Sequence, residues 1–357
     1  MFRSIRVSAA MGLLGSLVLA GCSTSRPTTT STPDPLPTTA SSQPSLKPSF
    51  PLTITNCGRQ LRFDRAPQRT VALSQASAET LLSLGLEAQV AGTAGWTDDV
   101  LTPVAKVNKT VPRISRETPK MPAVLAKKPD LVTASFTEAL TEERAGSPSQ
   151  YAARKVPSYI SPTGCAAGGD PNDSSAKGAR KTKFQMKEVY QEINDLARIH
   201  GVPQRGADLV TDLDKRLASV VKASPSRKPT VVFWFSGIEE PRVAGGTGTA
   251  QFVSDHLGLT NMYADRKEQW AEVTWEDVAR KNPDIIVIAS LDRKDEPAEY
   301  APGKISTLVK NPTTATMKAV KQEQYITVQG VELSPSLRTV DLAEKMSTGL
   351  FQLGLVH

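Results

Sequence analysis

The segment AKKPDLVTAS at residues 126–135 reappears in altered form as ARKNPDIIVIAS at 279–290. Each copy begins as a polar helix end, turns at Pro-Asp, and continues as an apolar run of strand length. Outward from the first copy, TVALS at 70–74 is a short apolar run, and the helix pattern after it ends in Leu84-Gly85-Leu86. Further strand-like runs lie at 90–95 and 158–161, and 121–128 reads as the helix leading into the first Pro-Asp. Outward from the second copy, TVVFWFS at 230–236 is a buried-strand pattern and the helix at 249–259 ends in Leu257-Gly258-Leu259. A helix at 274–282 leads into the second Pro-Asp. Strand, helix, strand with short connections predicts a parallel sheet covered by helices. Two features matched in the same order predict two lobes built on one plan.

Between the halves, 184–223 is amphipathic and has no strand character. Val189, Ile193, Leu196 and Ala197 recur at helical spacing, Gly201-Val202-Pro203 interrupts, and Leu209, Leu213, Leu217 and Val220 resume the period. Two helices are expected, the second spanning from one lobe to the other and holding them nearly rigid. The segment 166–183, rich in Gly, Asp, Asn, Ser and Lys, reads as a surface loop. The expected fold is therefore α/β, with two parallel-sheet, Rossmann-like lobes joined by a single long bridging helix. The expected limits are 51–202 for the N-terminal lobe, 203–228 for the bridge and 229–357 for the C-terminal lobe.

Composition narrows the function. The 357 residues, 39% hydrophobic and 22% charged, describe a globular chain long enough for two domains. Three histidines and three widely separated cysteines do not supply a four-ligand zinc site of cysteines, or of paired cysteines and histidines. The formal charge of +7 is spread along the chain without a dense basic run, which argues against nucleic acid as a partner. Gly245-Gly246-Thr247-Gly248 lacks the Gly-Lys-Ser/Thr ending of a phosphate loop and reads as a tight turn lining a cleft. Ser236-Gly237 lacks the flanking glycine pattern of a hydrolase elbow, and no histidine stands in a triad order, so an exported enzyme is the weaker alternative. A sensory lipoprotein without small-molecule cargo is another.

The N-terminus carries an address. Arg3 and Arg6 precede an apolar stretch at 7–20 that is shorter than the roughly 20 residues of a comfortable membrane span. Leu19-Ala20-Gly21-Cys22 resembles the lipobox of bacterial lipoproteins, where cleavage precedes a cysteine that receives diacylglycerol. That resemblance implies a signal peptide at 1–21 and a lipid anchor on Cys22. Cleavage there removes two arginines and no acid, lowering the charge from +7 to +5. Ser, Thr and Pro make up 20 of the 28 residues at 23–50, too few apolar groups to offset the entropy of ordering. At about 3.1 Å per residue such a tether, 22–50 with its anchor, reaches roughly 85 Å. Outside the cytoplasm the remaining Cys57 and Cys165 either pair or stay buried as thiols.

The tract RTVALSQASAETLLSLGL at 69–86, the Pro-Asp-strand repeats and the bridging helix resemble the substrate-binding lipoproteins of ABC importers for ferric siderophores and cobalamin, over 51–355. Asn56-Cys57-Gly58 and Ser161-Pro162-Thr163-Gly164-Cys165 are similar to an actinobacterial siderophore-binding subgroup, which implies a Cys57–Cys165 disulfide. The resemblance implies a non-enzymatic, lipid-anchored, monomeric receptor on the outer face of the cell membrane. It holds ligand between the lobes and delivers it to a permease with a cytoplasmic ATPase. The implied ligand is an iron(III)–siderophore, leaning to the hydroxamate type, with cobalamin as the alternative. No cofactor is implied beyond the iron inside the chelate, and no direct metal ligand. Haem requires axial His, Tyr, Met or Cys, and His200, His256 and His357 are the only histidines.

A cleft for such a ligand needs flat apolar surfaces and a few hydrogen-bonding groups. Trp96 follows the 90–95 strand, Trp234 and Ser236 lie near the end of 230–236, and Trp275 opens the helix before Pro283. Core packing is the competing role for Trp234 and Trp275. Ser74 and Gln75 border the first-strand turn, and Glu79 there could cap the next helix. By resemblance, Arg338 sits at the cleft mouth, where its guanidinium would grip hydroxamate or carboxylate oxygens. Glu117 and Glu276 are the matching candidates for docking on permease arginines, one per lobe.

Overall fold

A computed structural model describes residues 46–166, 180, 182–223, 228–292 and 296–355. Cys22, the signal segment, nearly all of the tether and most of the predicted loop at 166–183 lie outside the described residues.

The body opens with an antiparallel hairpin, β1 (Leu52–Asn56) and β2 (Arg59–Phe63), in register from Leu52↔Phe63 to Asn56↔Arg59. Its two-residue turn places Cys57 at φ 47° and Gly58 at φ 75°, the left-handed pair that suits the twist of a tight hairpin. The hairpin was not anticipated, although the alternation Leu52, Ile54 and Leu61, Phe63 around Asn-Cys-Gly carries its signal. A Cys57–Cys165 disulfide with a Cα–Cα distance of 5.2 Å ties this turn to the far edge of the first lobe.

The first sheet has the order β4-β3-β5-β6, with β3 (Thr70–Ala72), β4 (Val90–Thr93), β5 (Leu131–Ala134) and β6 (Ser158–Ile160), all pairs parallel. Between these strands run α1 (Gln75–Ser83), α2 (Ala105–Asn108), α3 (Met121–Leu125) and α4 (Pro148–Ala152), and α5 (Pro162–Ala166) follows β6. Two helices come next, α6 (Met186–Ile199) and α7 (Pro203–Ser219). The second sheet is built from β7 (Thr230–Ser236), β8 (Arg242–Ala244), β9 (Thr260–Asn261), β10 (Trp270–Glu272), β11 (Ile285–Ser290) and β12 (Tyr325–Gln329). Its order is β10-β8-β7-β11-β12, with β9 also on β7. Helices α8 (Thr249–Leu257), α9 (Trp275–Lys281), α10 (Ala301–Lys310) and α11 (Lys318–Lys321) cover it, and α12 (Arg338–Gln352) closes the chain.

The second sheet corrects one expectation. It is mixed, because β8 pairs antiparallel with both β7 and β10. The five residues between β7 and β8 are too few for a parallel crossover, which takes roughly a dozen, so the chain folds straight back. Trp270, expected in a loop, lies in β10.

The Pro-Asp repeat has a shared mechanical role. Asp130 accepts the amide N–H groups of Gln68 and Arg69, each at 2.8 Å, just before β3. Asp284 accepts the Thr230 amide at 2.9 Å and its hydroxyl at 3.0 Å at the start of β7. In each lobe the aspartate that ends the turn into β5 or β11 pins the beginning of the neighbouring strand, satisfying backbone donors that have no sheet partner. Helix α7, about 25 Å long, touches both halves. Arg205 near its start donates to the Leu84 and Gly85 carbonyls behind α1, and Arg216 near its end binds Asp341 and Glu344 on α12.

Strand alternation divides the core. Val71 and Leu73, Val132 and Ile160 face one outer cluster, and Val232, Trp234, Ile286 and Ile288 face the other. Ala72, Leu131, Tyr159, Val231, Phe233, Ile285 and Val287 join a central cluster with α6, α7 and α12.

Candidate functional site

In parallel sheets, loops at the carboxyl ends of the strands converge on one side, where ligands bind. Here a cleft of about 700 Å³ lies at that side of both sheets. The first lobe contributes Leu73 and Ser74 after β3, Trp96 to Asp98 after β4, and Phe136 after β5. The second contributes Phe235 from the end of β7, Leu291 and Asp292 after β11, and Gly330 and Val331 after β12.

Three of the expected residues stand on this wall, each held by the protein itself. Ser74 is the N-cap of α1, accepting from the Ser77 amide, and its hydroxyl also bonds Ser135 at 2.7 Å. Gln75 accepts the Thr97 and Asp98 amides at 3.1 and 3.0 Å and donates to Glu79 and the Asp99 carbonyl. Its amide therefore builds the 97–99 loop. Trp96 is 4% exposed, donates to the Thr93 hydroxyl at 3.2 Å, and lies under the Arg113 guanidinium at 4.4 Å. Gly95 makes this turn possible: its φ is +69°, and a Cβ there would sit 2.7 Å from the Leu73 carbonyl oxygen.

Other expected ligand contacts are elsewhere. Trp234 is fully buried in the outer cluster, packed edge-on against Trp275 at 4.7 Å, with its Nε1 donating to the Ser236 and Gly237 carbonyls. Trp275 donates to the Ile238 carbonyl at 2.8 Å and is likewise core. Ser236 is buried at the strand end and does not line the cleft. The reason is the two-residue period of β7, which turns Trp234 outward and its neighbour Phe235 toward the cleft. Phe235 stacks on Trp270 at 4.0 Å and 15°, giving the second lobe its flat aromatic surface. Phe235 and Phe136 were missed, and their position at strand ends was the available signal. The Gly245–Gly248 turn also lies outside the cleft, since Gly246 packs against Ala264 so closely that a Cβ would be 1.9 Å from its carbonyl oxygen.

Arg338 is 2% exposed and absent from the cleft wall. It donates to both carboxylate oxygens of Glu79, to Gln329 Oε1 at 2.6 Å and to the Asp99 carbonyl at 2.6 Å. Burial works against its charge, but the Glu79 carboxylate outweighs burial and raises its pKa. Glu79 is thus the partner of a buried clamp between α1 and α12, not a helix cap. Two further contacts cross the cleft. Asp98 accepts the Gly330 and Val331 amides at 3.2 and 3.0 Å, and Arg116 pairs with Asp292 at 2.6 Å. Burial pushes the Asp98 carboxyl up, against the hydrogen bonds from Thr97 and those two amides.

Glu117 is exposed on the cleft wall and Glu276 is exposed in the first turn of α9. Among the described residues no cluster of His, Cys, Asp and Glu could hold a metal ion. His200 is buried between Thr70 Oγ1 and the Leu196 carbonyl, both at 2.9 Å, and His256 lies 3.0 Å from the Leu217 carbonyl. No helix among the described residues is long and apolar enough to cross a membrane.

The fold is shared with solved binding proteins. A periplasmic binding protein from Veillonella parvula superposes with a TM-score of 0.70 at 24% identity, covering 84% of this chain and 97% of that one. An ABC-type Fe3+-hydroxamate transport protein from Saccharomonospora viridis gives 0.66 at 24% identity, covering 85% and 99%. A periplasmic haem-binding protein from Roseiflexus in its apo form gives 0.59 at 21% identity, covering 81% and 99%. No curated protein matches this sequence. The sequence itself matches the family model for periplasmic binding proteins over residues 70–330, from the first strand of the first sheet to the loop after the last strand of the second. The chain therefore belongs to the periplasmic binding protein family, whose members bind solutes outside the cytoplasm and are not enzymes.

Proposed function

We propose that this protein is a lipid-anchored receptor that binds an iron(III)–siderophore, leaning to the hydroxamate type, and delivers it to an ABC importer. The observation that carries the reading is the make-up of the cleft. Its volume of about 700 Å³ suits a chelate of that size, and it has aromatic surfaces in both lobes. Its described lining contains no His, Tyr, Met or Cys to serve as an axial ligand for haem. Tyr300, near the rim, donates its hydroxyl to Asp292. A siderophore brings its own iron ligands, so such a wall is adequate for it. The structural likeness to an Fe3+-hydroxamate transport protein supports this reading over the haem-binding likeness.

The anchor in this reading is Cys22, and Glu117 and Glu276 dock on the permease. Cys22→Ala is expected to release the processed protein from the membrane. Charge reversal at Glu276 is expected to reduce uptake while leaving binding intact. The test of the ligand is quenching of tryptophan emission by a panel of ferric siderophores, cobalamin and haemin. Saturation by a ferric siderophore, weakened by Phe235→Ala, supports the proposal. Saturation by cobalamin or haemin alone overturns the ligand, and no binding across a broad panel overturns the receptor.

A further inference from the structure

The cleft has the opposite charge from the chain that forms it. The whole sequence carries +7, yet among the described residues the cleft wall holds five carboxylates, from Asp98, Glu117, Glu138, Asp292 and Glu296. The guanidiniums on that wall are two, Arg116 and Arg144. Arg116 is already paired with Asp292 across the cleft, so the pair contributes little net field to a ligand. Arg113 reaches the wall only as the group stacked over Trp96, and counting it still leaves the acids in excess. Glu117 and Glu138 are exposed on the first-lobe side, at the wall rather than in the core. A cleft with low-dielectric aromatic walls concentrates such a field at the ligand.

Resting on the siderophore reading above, we infer that the cleft selects cationic ferric chelates over neutral ones and discriminates against anionic ones. A ferric trihydroxamate is neutral at the metal, so its net charge is set by its chain. A linear trihydroxamate with a terminal ammonium group is a monocation, whereas a ferric tris-catecholate carries three negative charges. Two or three unbalanced carboxylates at about 8 Å through a largely aqueous medium favour a monocation about tenfold. The same acids repel the trianion.

The test uses a matched pair, the ferric complex of a linear trihydroxamate with a free terminal ammonium and the same complex with that amine acetylated. The iron coordination is identical and only the charge differs. The affinity of each for the purified mature protein is measured by tryptophan quenching at about 20 mM and 500 mM salt, with a ferric tris-catecholate as the anionic arm. The expected result is about a tenfold preference for the ammonium form at low salt, mostly lost at high salt. Glu117→Gln/Glu138→Gln is expected to reduce it to about threefold or less. Equal binding of the two trihydroxamates, or tightest binding by the tris-catecholate, overturns the charge selection and leaves the siderophore reading standing. A preference that survives both salt and the double substitution overturns its assignment to these carboxylates. If no siderophore binds, the parent reading fails and this inference with it.

Discussion

Arg338→Met tests the assignment of Arg338 to an interlobe clamp instead of the ligand. The substitution keeps the length of the side chain and removes its four donor contacts: two to Glu79, one to Gln329 and one to the Asp99 carbonyl. What remains is a buried carboxylate without its cation. Breaking a buried pair from one side costs about 3–5 kcal/mol. Glu79 still accepts from Leu101 N at 2.9 Å and Gln75 Nε2 at 3.0 Å, which places the loss near the lower end, about 3 kcal/mol. Glu79→Gln/Arg338→Met removes the stranded charge and keeps an oxygen for the Leu101 amide. It is expected to recover more than half of the loss. The assay is denaturant unfolding of the purified mature protein followed by far-ultraviolet circular dichroism, with both variants and the parent compared at one pH. A loss under about 1 kcal/mol for Arg338→Met, or a double variant weaker than the single one, refutes the argument that the pair holds α1 to α12.

Other outcomes follow from the same reasoning. Burial, with a smaller push from Asp195, raises Glu192 from 4.5 to about 7 against a hydrogen bond from Ser161. Its folded value exceeds its unfolded one, so its contribution is full below about pH 4.5 and is lost as pH rises through about 7. Glu192→Gln should flatten that part of the stability profile and raise the melting temperature at pH 8; an unchanged profile counts against the assignment. The Cys57–Cys165 bridge spans a separation of 108 residues, so Cys57→Ser/Cys165→Ser should lower stability by up to about 4–5 kcal/mol. Thiol titration of the unfolded, unreduced parent should find neither of these two cysteines free. Phe235→Ala and Trp234→Ala separate site from core: the first should weaken ligand binding with modest loss of stability. The second should cost about 3–5 kcal/mol, as expected of an emptied aromatic site. Reversed effects would place the wrong face of β7 in the cleft.

The hairpin, the two Pro-Asp units and the helical connection illustrate what is readable locally. Period-two and period-3.6 patterns arise from burial of one face of a strand or helix, so they survive in the sequence as spacing. The helix before each Pro-Asp and the strand after it were visible for that reason, though not the reason for the aspartate. Its partner is the start of a strand some 50–60 residues earlier in the chain, at Gln68 and Arg69 or at Thr230. The antiparallel edge of the second sheet was hidden because three-residue strands such as β8 and β10 are too short to show a period.

By itself, then, the sequence determined the α/β elements, their duplicated order and the presence of two helices between the halves. Each of these depends on neighbours within a turn or two of the chain. The tertiary structure alone decided which aromatic side of β7 meets the cleft and what Arg338 holds. Trp234 and Phe235 are adjacent and equally apolar, and only the placement of the sheet between two layers distinguishes their faces. Arg338 and Glu79 are separated by 259 residues, and the low dielectric that makes them a clamp exists only where the two lobes close over them.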